Sequence, residues 1–467
     1  MPQLDPDRLF PVEPKARDLA RALYDGIKGL PILSPHGHTD PAWYAENRRF
    51  DDPAALFVTP DHYVLRMLIS QGVRYEDLGV APRDGSGYQT DPREVWQTFA
   101  QHYYLFRATP TRMWIDHALQ HVFDISEELT PETAGASYDQ IAAALSQPGF
   151  RPRALYNRFG VEVVATTDSA LDPLSHHKAI AASDWQGRVL PTYRPDAVID
   201  PETAGFAENL VRFGELTGED TGTWAGYLAA HRKRRADFIA LGATATDHGA
   251  ETPQTANLSE SEAKSLFDRV RHDASLQDAA LFRAQMLTEM ARMSIDDGLV
   301  MQLHAGSARS HSTAIHQRYG ADKGFDIPIA VDWVNGLHPL LEAFGNDPRL
   351  TLILFTLDEA TYTRELAPLA GAYPALRLGP AWWFFDSPEG MRRYREAVTE
   401  TAGFYNTVGF NDDTRAFCSI PARHDVARRV DCAYLADLIL TGRLSEADAQ
   451  EVAVDLAYTL AKKAYRL

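Results

Sequence analysis

The chain has 467 residues, 45% of them apolar and 24% charged, with a net charge of −18 at pH 7. These are globular values, so disordered, collagen-like and disulfide-scaffold classes are excluded. The negative balance argues against a nucleic-acid partner, which needs a basic face, and it means that an acidic ligand must be held by local arginines.

Taken in chain order, short β-rich apolar runs alternate with helical stretches. The opening, MPQLDPDRLF, lacks a basic-then-apolar signal pattern, and no apolar run approaches the ~20 residues of a membrane span. The expectation is a cytoplasmic protein with no membrane partner. The first run, 31–38, ends in His36-Gly37-His38. About 120 residues then pass before the next run, far more than a βα connection needs. Their helical patterns, such as DHYVLRMLISQGV, predict a mostly helical insertion over residues 40–155. It divides the chain into 1–39, with the N-terminal helix and first strand, the insertion itself, and 156–467, the remaining barrel with C-terminal helices.

The later runs are 161–168, 188–195, 238–248, 299–306, 350–358, 376–383 and 406–413. Near-continuous apolar strands suit a parallel sheet buried on both faces. Eight of them alternating with helices predict an α/β fold, a (β/α)8 TIM-like barrel, with a doubly wound sheet as the rival. Ser259 and Glu262 form a capping-box pattern, and Ser445 opens a C-terminal helix with Lys462 and Lys463 near its end. The basic run His231–Arg235 reads as a solvated helix end before the fourth strand. The only cysteines, Cys418 and Cys432, cannot build a disulfide framework or a zinc cluster.

Chemistry is expected at strand ends. His36 and His38, two apart, point the same way and can share one metal. His304 ends the fifth run, as a metal ligand, a substrate contact or a packed rim residue. Asp413 ends the eighth, which adjoins the first in a closed barrel, so its carboxylate can reach that metal, serve as a proton-transfer base or cap a helix. Asp412 is the better candidate for a cap.

A histidine pair on strand one with an aspartate on strand eight is similar to the amidohydrolase superfamily. The hydrolytic pattern is incomplete, because strand four ends in TATDHG without lysine and strand six in LFTLD without histidine. The segments HGHTDPAWYAENRRF, LPTYRPD, MQLHAGSARSHST, GPAWWFFDSPEGM and PARHDVARRV, in order, resemble uronate (glucuronate) isomerase. The resemblance implies a (β/α)8 barrel that interconverts D-glucuronate with D-fructuronate and D-galacturonate with D-tagaturonate. It implies His36, His38 and Asp413 as metal ligands, with Asp413 also carrying a proton. His62 and Tyr63 match a sugar-contacting pair. Arg194, Arg415 and Arg423 match substrate-binding arginines, and Trp382 and Trp383 a tryptophan pair near the site. The expected cofactor is one divalent ion, zinc first and manganese or another next, and the expected partner is a small uronic acid. A homo-oligomer is left open. The alternatives are a mononuclear metal-dependent hydrolase and a non-catalytic barrel that binds sugar acids. Without the resemblance, Arg423 could simply pair with Asp425 on a helix surface.

Overall fold

Seven of the eight apolar runs form strands: Ile32–Ser34, Val161–Ala165, Arg188–Leu190, Ala245–Ala250, Val300–Ala305, Leu352–Thr356 and Leu376–Leu378. The structure is a computed structural model that describes residues 4–272 and 274–467. Asp168–Ser169 and Tyr193–Arg194 prolong the second and third strands. Neighbours in sequence are neighbours in space, and every pairing among these strands is parallel. The eighth run joins through a single parallel bridge, Leu378 with Thr407. It reaches the first strand's end where His38 N–H donates to the Thr414 carbonyl at 3.1 Å. The result is a TIM-barrel-like ring. The fifth and sixth strands are buried at every residue, as a sheet covered on both faces requires.

Helix starts follow from local chemistry. Asp40-Pro41, Asp52-Pro53, Asp91-Pro92, Thr109-Pro110 and Ser387-Pro388 each place a side-chain acceptor at the cap and proline in the first turn. Proline there lacks only an N–H that the helix would leave unpaired anyway. The Ser259–Glu262 capping box is formed. Ser445 caps Glu446–Val454, but a π-turn at Asp455–Thr459 separates that helix from Leu460–Ala464, so the C-terminal segment is not one regular helix. Between the first and second strands the chain is helical, from Pro41–Glu46 to Pro152–Arg158. Trp96, Phe99, Tyr103 and Phe106 belong to the core that this segment shares with Ile32, Val161 and Phe417.

Two further expectations change. Phe238 and Ile239 end the helix Trp224–Ile239 rather than open a strand; Gly242, at φ 92°, turns the chain, and the fourth strand starts at Ala245. The basic run lies on that helix, but only two of its five residues are solvated. Arg232 and Lys233 are exposed, whereas Arg234 and Arg235 are buried. Arg234 donates to the Ala170 carbonyl at 3.0 Å, and Arg235 donates to both oxygens of Asp297.

Candidate active site

The strand ends bring His36, His38 and Asp413 together. Asp413 Oδ1 lies 3.4 Å from His36 Nε2 and 3.2 Å from His38 Nε2. Its backbone is left-handed, at φ 40°. That conformation is strained for a residue with a Cβ, though aspartate tolerates it better than most. His304, from the fifth strand, stacks on His36 with ring centroids 4.6 Å apart. Potential ligand atoms of His36, His304 and Asp413 lie within 4.8 Å of one another.

The electrostatics suit a cation. Burial would raise the Asp413 carboxyl, but His36 and His38 outweigh it and hold it well below the usual range. Burial likewise opposes a charge on His36, but Asp413 outweighs it and the net shift is upward; at His38 burial prevails and the shift is downward. Burial also lowers His304 to about 4, so its ring is neutral at pH 7. Its Nδ1 is 2.7 Å from Asp247 Oδ1. An ionised carboxylate only accepts, so Nδ1 carries the hydrogen and Nε2 keeps its lone pair. That Nε2 is buried and has no partner among the described residues. A neutral imidazole oriented by a carboxylate is the usual form of a metal-binding histidine, so these residues fit a divalent ion.

Arginines surround this cluster. Arg194 reaches Asp196 at 2.7 Å and Asp247 at 3.4 Å. Arg415 meets Asp322 at 3.2 Å. Arg423 is buried and pairs with Asp386 at 3.0 Å, not with Asp425, which binds Arg429 at 2.9 Å and also pairs with Arg8. Its guanidinium lies 3.6 Å over the Trp114 ring. Asp386 also accepts from Tyr63 Oη at 2.7 Å. His62, beside Tyr63 on the helix His62–Ile69, is lowered to about 3 by burial and the nearby Arg415. Its ring lies 4.6 Å from Trp383, while Trp382 lies 4.7 Å from His304. Asp412 caps no helix: it is buried and pairs with His424 Nε2 at 3.0 Å.

All eleven side chains named from the sequence line one cavity of about 260 Å³: His36, His38, His62, Tyr63, Arg194, His304, Trp382, Trp383, Asp413, Arg415 and Arg423. Its wall also holds residues that the sequence alone does not mark, among them Trp114, Asp247, Asp322 and Asp386. Asp247 sits in TATDHG, where no spacing marks the acid. Asp386 follows the tryptophan pair in WWFFDSP. A polar pocket with a candidate cation site, carboxylates and four arginines, Arg309 being the fourth, can bind a small anion and move protons on it.

Comparison with known proteins gives the same picture. The family model for glucuronate isomerase matches residues 14–465. The chain is 64% identical to the uronate isomerase of Mesorhizobium japonicum, over 99% of both chains. The crystal structure of glucuronate isomerase from Caulobacter crescentus superposes with a TM-score of 0.98 at 55% identity, covering 99% of this chain and 97% of that one. The uronate isomerase structure from Thermotoga maritima gives 0.92 at 28% identity over 99% of both. The sequence, the barrel and the match from end to end agree, and the chain belongs to the uronate (glucuronate) isomerase family.

Proposed function

We propose that this protein is an aldose–ketose isomerase that interconverts D-glucuronate with D-fructuronate, and D-galacturonate with D-tagaturonate, through an enediol. The observation that carries this reading is the meeting of His36, His304 and Asp413 inside an arginine-lined cavity of a chain matched end to end by uronate isomerases.

The reaction moves one proton between C2 and C1 and another between the two oxygens. Asp413 is the group for the carbon-bound proton. It takes the proton from C2 at a carboxylate oxygen and returns it to C1. Its depressed affinity for protons, set by the two histidines, lets it release what it takes. A divalent ion, zinc foremost, would be held by His36 and Asp413 with His38 or His304, and when bound it polarises the sugar's carbonyl and hydroxyl oxygens. Arg415, Arg423 and Arg194 give the uronate carboxylate the planar donors that it prefers. His62, neutral at working pH, and Tyr63 serve the oxygen side of the sugar. Trp382 and Trp383 wall the pocket and exclude water. The insertion, residues 40–155, delivers His62 and Tyr63 over the barrel mouth. Both cysteines are unpaired and buried, which fits a reducing compartment such as the cytoplasm. Among the described residues no helix is long and apolar enough to cross a membrane.

The test is incubation of purified protein, with and without added zinc or manganese, with D-glucuronate and with D-galacturonate. Ketouronate from at least one sugar is expected. None from either, under any metal condition, would overturn the reading.

A further inference from the structure

A phenol has one hydrogen, and Tyr63 commits it to a carboxylate on the cavity wall. Tyr63 Oη donates to Asp386 Oδ2 at 2.7 Å. The same Oδ2 accepts from Arg423 Nη1 at 3.0 Å. Since arginine only donates, that oxygen is an acceptor and the phenol is its second donor. Arg423 is itself fixed by Ser419 Oγ at 3.2 Å and the Asp412 carbonyl at 3.3 Å. The remaining carboxylate oxygen, Asp386 Oδ1, is buried and has no hydrogen-bond partner among the described residues. A carboxylate kept only for packing is normally satisfied at both oxygens. Three remote segments meet here: the helical insertion, the loop after strand seven and the last long helix, Ile420–Leu440.

We propose that Asp386 is a positioning residue for the isomerisation: it turns Tyr63 into an acceptor toward the sugar and takes up the phenolic hydrogen when Tyr63 receives one from a substrate hydroxyl. This rests on the isomerase reading above. In the aldose-to-ketose direction, Asp413 takes the C2 proton, the C–H pair becomes the C1–C2 double bond, and the carbonyl π pair moves to O1. The hydroxyl on C2 then gives its proton to Tyr63 Oη while the phenol's own hydrogen passes to Asp386 Oδ2. The O2–H pair becomes the new C2 carbonyl, and the C1–C2 π pair takes the proton that Asp413 holds. The hydrogen on Asp386 returns through Tyr63 to O1. Two protons move, C2 is oxidised as C1 is reduced, and no outside reagent is needed.

Asp386→Asn keeps the volume and an acceptor oxygen but cannot accept the hydrogen. The expected result is a kcat about 100-fold lower with KM within about threefold of the parent. In a Tyr63→Phe background the same change should cost less than about twofold more, because residues that act as a unit are not additive. Circular dichroism confirms the fold of each variant. An unchanged kcat, an undiminished second loss beside Tyr63→Phe, or a loss confined to KM overturns the proposal. Should Asp386→Asn fail to fold, a proton inventory on kcat decides. Curvature in the parent that becomes linear in Tyr63→Phe is expected, and a linear parent overturns the relay. A parent that isomerises no uronate defeats the functional reading; an active parent with an indifferent Asp386→Asn defeats this inference alone.

Discussion

Asp413→Asn isolates the charge at the centre of the site. Asparagine tolerates the left-handed backbone that residue 413 adopts, so the fold should survive. The carboxylate proposed to carry the C2 proton is gone, and kcat should fall about 1,000-fold in a coupled assay of ketouronate. Arg415→Met removes a charged donor pair, so kcat/KM for either uronate should fall about 10- to 100-fold, mostly through KM. A third residue tests stability. Asp168, buried beside Thr166, His177 and the Thr192 amide, is pushed up to about 7, chiefly by desolvation. Its folded-state affinity for protons exceeds that of the unfolded chain. The stability it contributes is therefore present in acid and lost as pH rises through about 7. Relative to Asp168→Asn, the parent should lose thermal midpoint between pH 5 and pH 8, and a gap independent of pH would refute the assignment. The residues legible in the sequence were those at strand ends, where spacing or position narrows their direction. Asp247, Asp322 and Asp386 were not legible. Each is a lone acid whose importance comes from an arginine, histidine or tyrosine far away in the chain.

At the scale of elements, the loop after strand five is held against the insertion. Its helix, Thr313–Tyr319, sends Arg318 and the Tyr319 hydroxyl to Glu76 at 2.6 and 2.8 Å. Arg83 N–H donates to the Arg318 carbonyl at 2.7 Å. Gly324, at φ 87°, passes so close to Arg66 that an added Cβ would lie 2.6 Å from that residue's Cβ. Gly324→Ala must push the loop outward, and with it Asp322, the partner of Arg415. KM should rise at least about threefold, and proteolysis within 307–328 should accelerate, as both report a loosened local unit. An alanine variant with native KM and native cleavage would show that the seam has no bearing on binding. The strands were legible because buried parallel strands are continuous apolar runs. The fourth strand's start is not legible because Phe238-Ile239-Ala240-Leu241 is equally apolar, and an amphipathic helix end cannot be told from a strand by hydrophobicity alone. The buried Arg234 and Arg235 were hidden for the opposite reason: composition alone assigns a basic run to water.

For the molecule as a whole, metal and stability should be linked. An ion bound only by the folded state stabilises by about 2.7 kcal/mol at 100 times its dissociation constant. Dialysis against a chelator should lower the thermal midpoint, zinc or manganese should restore it, and His36→Ala should abolish the difference. A midpoint indifferent to chelation would remove the ion from the folded site. The ring of strands carries a last consequence. Its first and eighth members, bearing His36 and Asp413, are separated by most of the polypeptide and meet only when His38 reaches Thr414. During translation, a ribosome that has not yet released the segment around residue 414 holds a nascent chain with half a site. Completion of the proposed metal and catalytic site is thereby deferred until synthesis is nearly finished, and any product that stops before that point lacks half of it.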